Sequence, residues 1–376
     1  MATLDPARRR TMHSWRTGPE AWTLQRDGPS PGAPLIDLAS NDYLGLSRHS
    51  DLIEAATKAV RDDGSGAGGS RLVTGSRPRH RRLERELGEW LGRDSVLLFP
   101  SGFQANIAAV CLLADRHSTV LADRLIHHSL LVGVQASGAR LQRFRHNDLI
   151  DLERRLSKLD SGQGSVLVIS ESLFSMEGTS PDMDGLVDLC HRFGVQLLLD
   201  EAHALGVLGP EGRGLGFGRG GIDLISGTFG KAFGSGGAFL ACDAALGDKL
   251  LQSSGAFRYT TALAPALVGA AQAALDLIRL NHGWGEQLIQ RSGHWREAFM
   301  AAGWRRPNGY GQILPVVIGA DGAALEAQAE LEQAGLLAVA IRPPTVPEGT
   351  ARLRLVLRRD LPEKTLERLL QILPSR

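Results

Sequence analysis

The chain has 376 residues, 43% of them apolar and 22% charged, with a net charge of +1; this suffices for one large domain and a smaller one without disulfides or metal staples. So even a charge balance gives no electrostatic case for nucleic acid or an anionic membrane surface, and no run approaches the length of a membrane span. Cys111, Cys190 and Cys242 are far apart, odd in number and set among apolar residues, so they read as buried thiols of a reducing compartment; with no apolar signal core at the amino terminus, the expected location is the cytoplasm.

Residues 1–34, polar and rich in Arg, Pro and Gly, read as an arm with one short helix. A strand at 35–39 then leads into the turn Ser40-Asn41-Asp42-Tyr43-Leu44-Gly45-Leu46. Apolar spacing predicts a helix over 51–62, ending in a glycine-rich loop at 64–70 suited to close approach of another chain or a ligand. A helical pattern runs over 79–90, followed by a buried strand at 95–100, the turn Ser101-Gly102-Phe103-Gln104-Ala105-Asn106 and a helix at 107–113. A strand, a small-residue turn and a helix start bring unpaired N–H groups and the positive helix end to one point, a ready anion site. Strands recur at 119–122, 166–170, 195–200 and 224–226, alternating with helical segments, which predicts a mainly parallel sheet covered on both faces with ligands beyond its carboxyl ends.

Past residue 264 the pattern changes to a long helical stretch (264–280 and on to 302), a strand at 313–318, a helix at 323–332, strands at 336–341 and 351–357, and a helix at 361–373. The expected architecture is therefore α/β, with an arm at 1–46, a large domain at 47–264 and a small carboxy-terminal αβ domain at 265–376. In the strand at 351–357 a period of two puts Arg352 and Arg354 on one face, where solvent is the expected neighbour and a substrate carboxylate the alternative.

The stretch from Ile222 to Leu240 places Thr228 and Lys231 among Gly227, Gly230, Gly234, Gly236 and Gly237. A lysine in such a turn serves either to cradle a nucleotide phosphate or to form a Schiff base. The phosphate loop fails at two positions, Ile225 and Ala232, and no Gly-x-Gly-x-x-Gly dinucleotide fingerprint stands between an early strand and helix. The Schiff-base reading requires a carboxylate to hold a pyridinium nitrogen. Asp200 closes an apolar strand and so must be buried beside a cation. Singly, Asp200 reads as a helix cap, His127 and His203 as ordinary histidines and Ser175 as a turn residue. Their joint occurrence with Lys231 at successive strand ends favours chemistry.

Asp200-Glu201-Ala202-His203, Thr228-Phe229-Gly230-Lys231, Ser101-Gly102-Phe103 and the turn from Ser40 to Leu46, in this order, resemble the α-oxoamine synthases, a fold type I family dependent on pyridoxal 5′-phosphate (PLP). The resemblance implies that Lys231 is the Schiff-base lysine, that Asp200 pairs with the pyridine nitrogen and that His127 stacks on the ring. It further implies Ser175 and His203 on the phenolic-oxygen side, and Gly102, Phe103 and Thr228 around the phosphate. Asn41, Thr345 and Arg354 match positions that meet the amino acid or acyl substrate, and Arg16 is assigned to substrate by its distance in sequence from Asn41. Lys231, or a neighbouring histidine, would act as the base. Members are homodimers with shared sites, so the loop at 64–70 and Thr260-Thr261 would reach a neighbouring subunit. The stretch from Ile341 to Leu355 looks like members that condense L-alanine with a pimeloyl thioester, on coenzyme A or an acyl-carrier protein, in biotin biosynthesis. Rivals are members using glycine with acetyl- or succinyl-CoA, an aminotransferase of the same fold, and a non-catalytic cofactor-binding scaffold.

Overall fold

The computed structural model describes residues 6–28, 32–159 and 164–373. Contacts divide the chain into two compact units: residues 46–174 with 180–285, and residues 1–45 with 175–179 and 286–376. No helix among the described residues is long and apolar enough to cross a membrane.

The larger unit is built on a seven-stranded sheet in the order Ser95–Phe99, Ala238–Cys242, Leu224–Thr228, Gln196–Asp200, Val166–Glu171, Thr119–Asp123 and Arg140–Phe144. Ala238–Cys242 runs antiparallel to both its neighbours, and the remaining pairings are parallel. The expected mainly parallel sheet is therefore present, with Arg140–Phe144 added at one edge, where its exposed arginines hid it from a search for apolar runs. The apolar strands are buried because helices cover them, and Val120, Leu167, Leu198 and Leu240 join Ala105, Ala109 and Val110 of the helix Gly102–Leu113 in one core cluster. That helix starts five residues before the expected 107, because the Ser101 hydroxyl caps it by accepting from the Gln104 N–H at 3.3 Å. The predicted long helix breaks into Pro265–Leu280 and Trp284–Ala301, with Asn281 closing the first.

In the smaller unit the arm carries more strand than the single short helix expected. Trp15–Thr17 and Thr23–Arg26 form an antiparallel hairpin that continues through Leu35–Asp37 to Leu336–Leu337; Trp15, Thr17 and Thr23 are β-formers whose alternation is masked by flanking Arg, Gly and Pro. The single strand predicted at 336–341 divides at Ala338, since Leu336–Leu337 joins this sheet and Val339–Ile341 joins another, beside Ala351–Val356 and Ile313–Gly319. Within that second sheet Ala351–Val356 is central, and its arginine face is covered by the segment 175–179: Arg354 Nε donates to the Ser175 carbonyl at 2.6 Å and Arg352 Nη1 to the Met176 carbonyl at 3.1 Å. Both arginines are 7% exposed, which corrects the expectation of a solvent face. Cys111 likewise departs from the buried thiol expected; Cys190 and Cys242 are buried while Cys111 is exposed.

Candidate active site

The carboxyl edge of the large sheet collects the predicted groups. Asp200 ends its strand in register with Glu171 on one side and Ser226 on the other. Its Oδ1 accepts from the Ala202 N–H at 2.9 Å and its Oδ2 from Asn106 Nδ2 at 2.8 Å. Asn106 also donates to Ser129 Oγ at 2.9 Å and accepts from Ser226 Oγ at 2.6 Å, so one side chain ties together two strands and two helices. From Ser129 the network reaches His127 Nδ1 at 2.7 Å, while the His127 backbone N–H donates to Glu171 Oε1 at 2.5 Å. His127 is thereby fixed by both backbone and ring and caps the helix His128–Ser137, yet its ring keeps an open face. Burial of the rest of the ring lowers its pKa; the Lys231 charge acts the same way and Asp200 opposes. A neutral, flat imidazole results. His128 is exposed, as His127 is, but takes no part in this network.

Glu171 is buried and carries a carboxyl pushed well above its usual range, first by desolvation and then by the charge of Asp200. The two strand-end carboxyls thus differ in surroundings: Asp200 accepts from two donors, while burial and the Asp200 charge push Glu171 toward its protonated form. Sequence reading passed over Asn106, Ser129, Ser226 and Glu171. Asn106 had a signal, since it is the one amide within an otherwise apolar run from Ala105 to Leu113.

Lys231, half-buried, stands in the turn between Leu224–Thr228 and Ala238–Cys242, next to the strand bearing Asp200. The turn is closed by Phe229 N–H to the Gly237 carbonyl, Ser235 N–H to the Phe229 carbonyl and Gly234 N–H to the Lys231 carbonyl, each at 2.9 Å. Two glycines are demanded by the turn itself. Gly234 has φ +58° with a notional Cβ 2.4 Å from the Ser47 nitrogen, and Gly237 has φ +94° with one 2.6 Å from Leu263. Gly230, by contrast, is exposed, and a Cβ there would make an ordinary contact with Thr228 Oγ1 at 3.6 Å.

Thr228 Oγ1 donates to the Gly237 carbonyl at 3.0 Å and accepts from the Gly230 N–H at 3.2 Å. A Cβ on Gly102 would meet Thr228 at 3.9 Å, so the start of the helix Gly102–Leu113 and Thr228 face one spot. First-turn amides such as those of Gly102 and Phe103 have no intrahelical acceptor. They suit a phosphate. The Phe103 ring itself is 45% exposed and tilts toward His128, with centroids 6.5 Å apart. His203 is buried in the turn after Asp200. Thr261 is exposed and bridges to Ser70, while the Ala262 N–H reaches the Gly69 carbonyl at 3.0 Å. A buried carboxylate flanked by an amide network, an accessible lysine, a neutral histidine and a helix-start anion pocket fit a phosphorylated pyridinium ring in charge and donor type.

The other predicted residues lie in the smaller unit. Arg354 Nη2 donates to Asn41 Oδ1 at 3.0 Å, an atom that also accepts from the Tyr43 hydroxyl at 3.2 Å. Tyr43 is fully buried, and desolvation pushes its phenol up to about 12 against the opposing pull of Arg354. Its buried neighbours are neutralised: Arg352 by Glu177 at 3.5 Å, and Arg358 by Asp37 at 3.2 Å, Asp42 at 3.5 Å and Asp360 at 2.9 Å. No carboxylate pairs with Arg354 among the described residues. Thr345 is exposed and accepts from Arg10 Nη2 at 2.9 Å. Arg16 is engaged by Asp27 at 2.6 Å on the hairpin, with its side chain 70% exposed.

Glu201, adjacent to Asp200, clamps the following glycine-rich loop by accepting from the Gly216 N–H at 2.6 Å and the Leu215 N–H at 3.1 Å. Desolvation raises its pKa from 4.5 to about 7, against the pull of those amides. The folded protein therefore binds one more proton than the unfolded chain between these values. The stabilisation is complete below about pH 4.5 and is lost as pH rises to about 7, in all about 3 kcal/mol. Glu201→Gln, which presents one acceptor to two amides, is expected to lower the melting temperature at acid pH and to flatten its fall between those limits, as read by thermal melts across pH.

A lysine turn and a buried aspartate at neighbouring carboxyl ends of a mainly parallel sheet define a fold type I PLP-dependent enzyme. The family model described as aminotransferase class I and II matches residues 33–373. The 8-amino-7-oxononanoate synthase of Gluconacetobacter diazotrophicus is 43% identical over 93% of this chain and 91% of its own length. Among solved structures, serine palmitoyltransferase of S. paucimobilis with a bound PLP–myriocin adduct superimposes with TM-score 0.91 at 26% identity, covering 96% of this chain and 91% of that one. The 8-amino-7-oxononanoate synthase of Francisella tularensis gives 0.78 at 26% identity, covering 90% and 96%. The chain belongs to the aminotransferase class I and II family, within its 8-amino-7-oxononanoate synthase branch, and is a PLP-dependent acyltransferase.

Proposed function

We propose that the protein condenses L-alanine with a pimeloyl thioester, on coenzyme A or a carrier protein, to give 8-amino-7-oxononanoate, carbon dioxide and free thiol in biotin biosynthesis. The observation that carries the amino-acid half is Arg354, a buried guanidinium with no counter-carboxylate among the described residues, braced by Asn41 and the Ser175 carbonyl. An uncompensated buried cation is costly unless a ligand supplies the anion, and an α-carboxylate does so. The acyl half rests on the relatives' names.

PLP, when bound, supplies an electron sink for negative charge developing at the α-carbon of alanine. Lys231 is assigned its covalent attachment and the proton lifted from that carbon, with His203 or His127 as the alternative base. Asp200 is assigned to keep the ring nitrogen protonated, and Asn106 to hold Asp200 in place. His127 presents a flat neutral face, and His203 and Ser175 are assigned to the phenolic oxygen. Thr228 with the Gly102 and Phe103 amides would take the phosphate. Thr345 and Arg16 are assigned to the acyl substrate, Arg16 through exchange of its Asp27 partner. In the overall balance the α-carbon bonds to the thioester carbonyl, the C–S bond breaks to leave thiol, the alanine carboxyl departs as carbon dioxide and a proton returns to the α-carbon.

We further propose a cytoplasmic homodimer with shared sites. Its support is the loop at 64–70 and Thr261, joined through the Ser70–Thr261 bridge, beside strongly exposed Val73 and Tyr259.

The solved serine palmitoyltransferases favour a second reading, in which another amino acid or acyl chain is used. Product mass after supplying alanine, glycine or serine against pimeloyl, acetyl, succinyl and palmitoyl thioesters decides between them. The proposal expects the 8-amino-7-oxononanoate mass from alanine with pimeloyl thioester as the dominant product; preference for any other pair overturns it.

A further inference from the structure

The smaller unit contains a cavity of about 630 Å³ unconnected with Arg354, Asn41 or Ser175 by its lining. Leu24, Leu325 and Leu337 contribute an apolar wall, while Arg9, Arg10 and Arg342 bring three guanidinium groups to it. Acidic groups around it are already engaged: Glu332 faces Arg26 at 3.6 Å, and Asp321 and Glu348 both hold Arg8, Asp321 at 2.9 Å. No carboxylate pairs with Arg9, Arg10 or Arg342 among the described residues. Two of the three are nonetheless held in place, Arg10 by Thr345 at 2.9 Å and Arg342 by the Ala7 carbonyl. These contacts and the Arg8 clasp strap the arm to the loop that carries Thr345, so the cationic side of the cavity is built jointly by the two segments.

An apolar wall beside clustered guanidinium groups selects an elongated molecule with a phosphate at one end, because planar guanidinium forks match phosphate oxygens and lose little in desolvation. The volume falls in the range of small-molecule sites, well above what a lone inorganic ion fills. We propose that this cavity binds the phosphorylated pantetheine arm of the acyl carrier, a proposal that rests on the thioester reading above. The arm's phosphate would meet Arg9, Arg10 and Arg342, and its thiol end would run along the leucine wall. The same phosphopantetheine occurs in coenzyme A and on carrier proteins, and the shared group is the one recognised.

Calorimetric titration of the PLP-loaded protein with coenzyme A, 4′-phosphopantetheine and unphosphorylated pantetheine tests this without turnover. Arg10→Gln and Arg342→Gln are each expected to weaken coenzyme A about tenfold, the worth of one charge-assisted hydrogen bond. Arg10→Lys should recover part of the loss, and Lys58→Gln, on a distant exposed helix face, should change nothing. Steady-state assays with the thioester should show KM rising with kcat little altered. If 4′-phosphopantetheine shares the arginine dependence, the phosphate beside the pantetheine is the one held, as proposed; if only coenzyme A does, the nucleotide phosphates are held instead and the phosphopantetheine assignment falls. Equal binding of pantetheine and coenzyme A, or affinities untouched by an Arg9→Gln/Arg10→Gln/Arg342→Gln variant with an unchanged circular dichroism spectrum, overturns it. Arginine-dependent binding in a protein that rejects pimeloyl thioester would remove the reaction and leave the site; turnover of that thioester with arginine-independent binding would do the reverse.

Discussion

Lys231→Ala is expected to leave a folded protein that binds PLP without a covalent bond and turns over at least ~10⁴-fold more slowly. Folding should survive, because the side chain is half-buried and the turn is held by backbone hydrogen bonds of Phe229, Gly234 and Ser235 rather than by the amine. The expected loss is large because one amine is proposed to perform two tasks, attachment and proton transfer at the α-carbon, and among the described residues no second lysine stands at the carboxyl edge of the sheet. Lys58 is paired with Asp62 on an exposed helix face, and Lys249 donates to the Leu112 carbonyl at 3.0 Å. Borohydride reduction followed by peptide mapping gives an activity-independent readout: the pyridoxyl mass should appear on the peptide containing residue 231 in the parent protein and on no peptide in the variant. A labelled peptide elsewhere, or a variant of undiminished rate, would remove Lys231 from its role.

The sheet, and the grouping of several candidate residues at its carboxyl edge, could be read from the chain because both follow from short-range signals. The apolar runs read at 166–170 and 195–200 announce a buried parallel sheet, and the polar residues that follow them mark its carboxyl edge. What escaped depends on contacts distant in sequence. Arg352 and Arg354 alternate with leucines as an exposed face would, and only the segment 175–179 laid over them makes them buried. Ala338 looks like the middle of one strand, yet the chain changes sheets there. Asn106 serves Asp200 across 94 positions, and no local pattern contains that partnership. The glycines around Lys231 were legible as a cluster but not in purpose: Gly234 and Gly237 answer to Ser47 and Leu263, so only some of them concern a ligand.

Asp200→Asn should reduce kcat by about 10² to 10³-fold, the range for removing one preorganised electrostatic group, whereas Glu171→Gln should cost far less. The two carboxyls are registered neighbours on adjacent buried strands, so their identity alone does not say which one bears charge. Their surroundings do. Asp200 accepts from Asn106 and Ala202, while Glu171 accepts from the His127 amide and is pushed toward its protonated form by burial and then by the charge of Asp200. Glutamine reproduces a neutral Glu171 and still offers an oxygen to the His127 N–H. Asparagine at 200 keeps an acceptor for Asn106 but removes the charge that would hold a ring nitrogen in its protonated form. It also withdraws the repulsion on Glu171, which then ionises more readily, so Asp200→Asn combined with Glu171→Gln should be slower than Asp200→Asn alone. Single-turnover rates of α-proton exchange from alanine, followed by deuterium loss, separate this electrostatic step from substrate binding. A Glu171→Gln variant crippled while Asp200→Asn remains active would assign the charge to the wrong strand and invert the proposed roles of the two carboxyls.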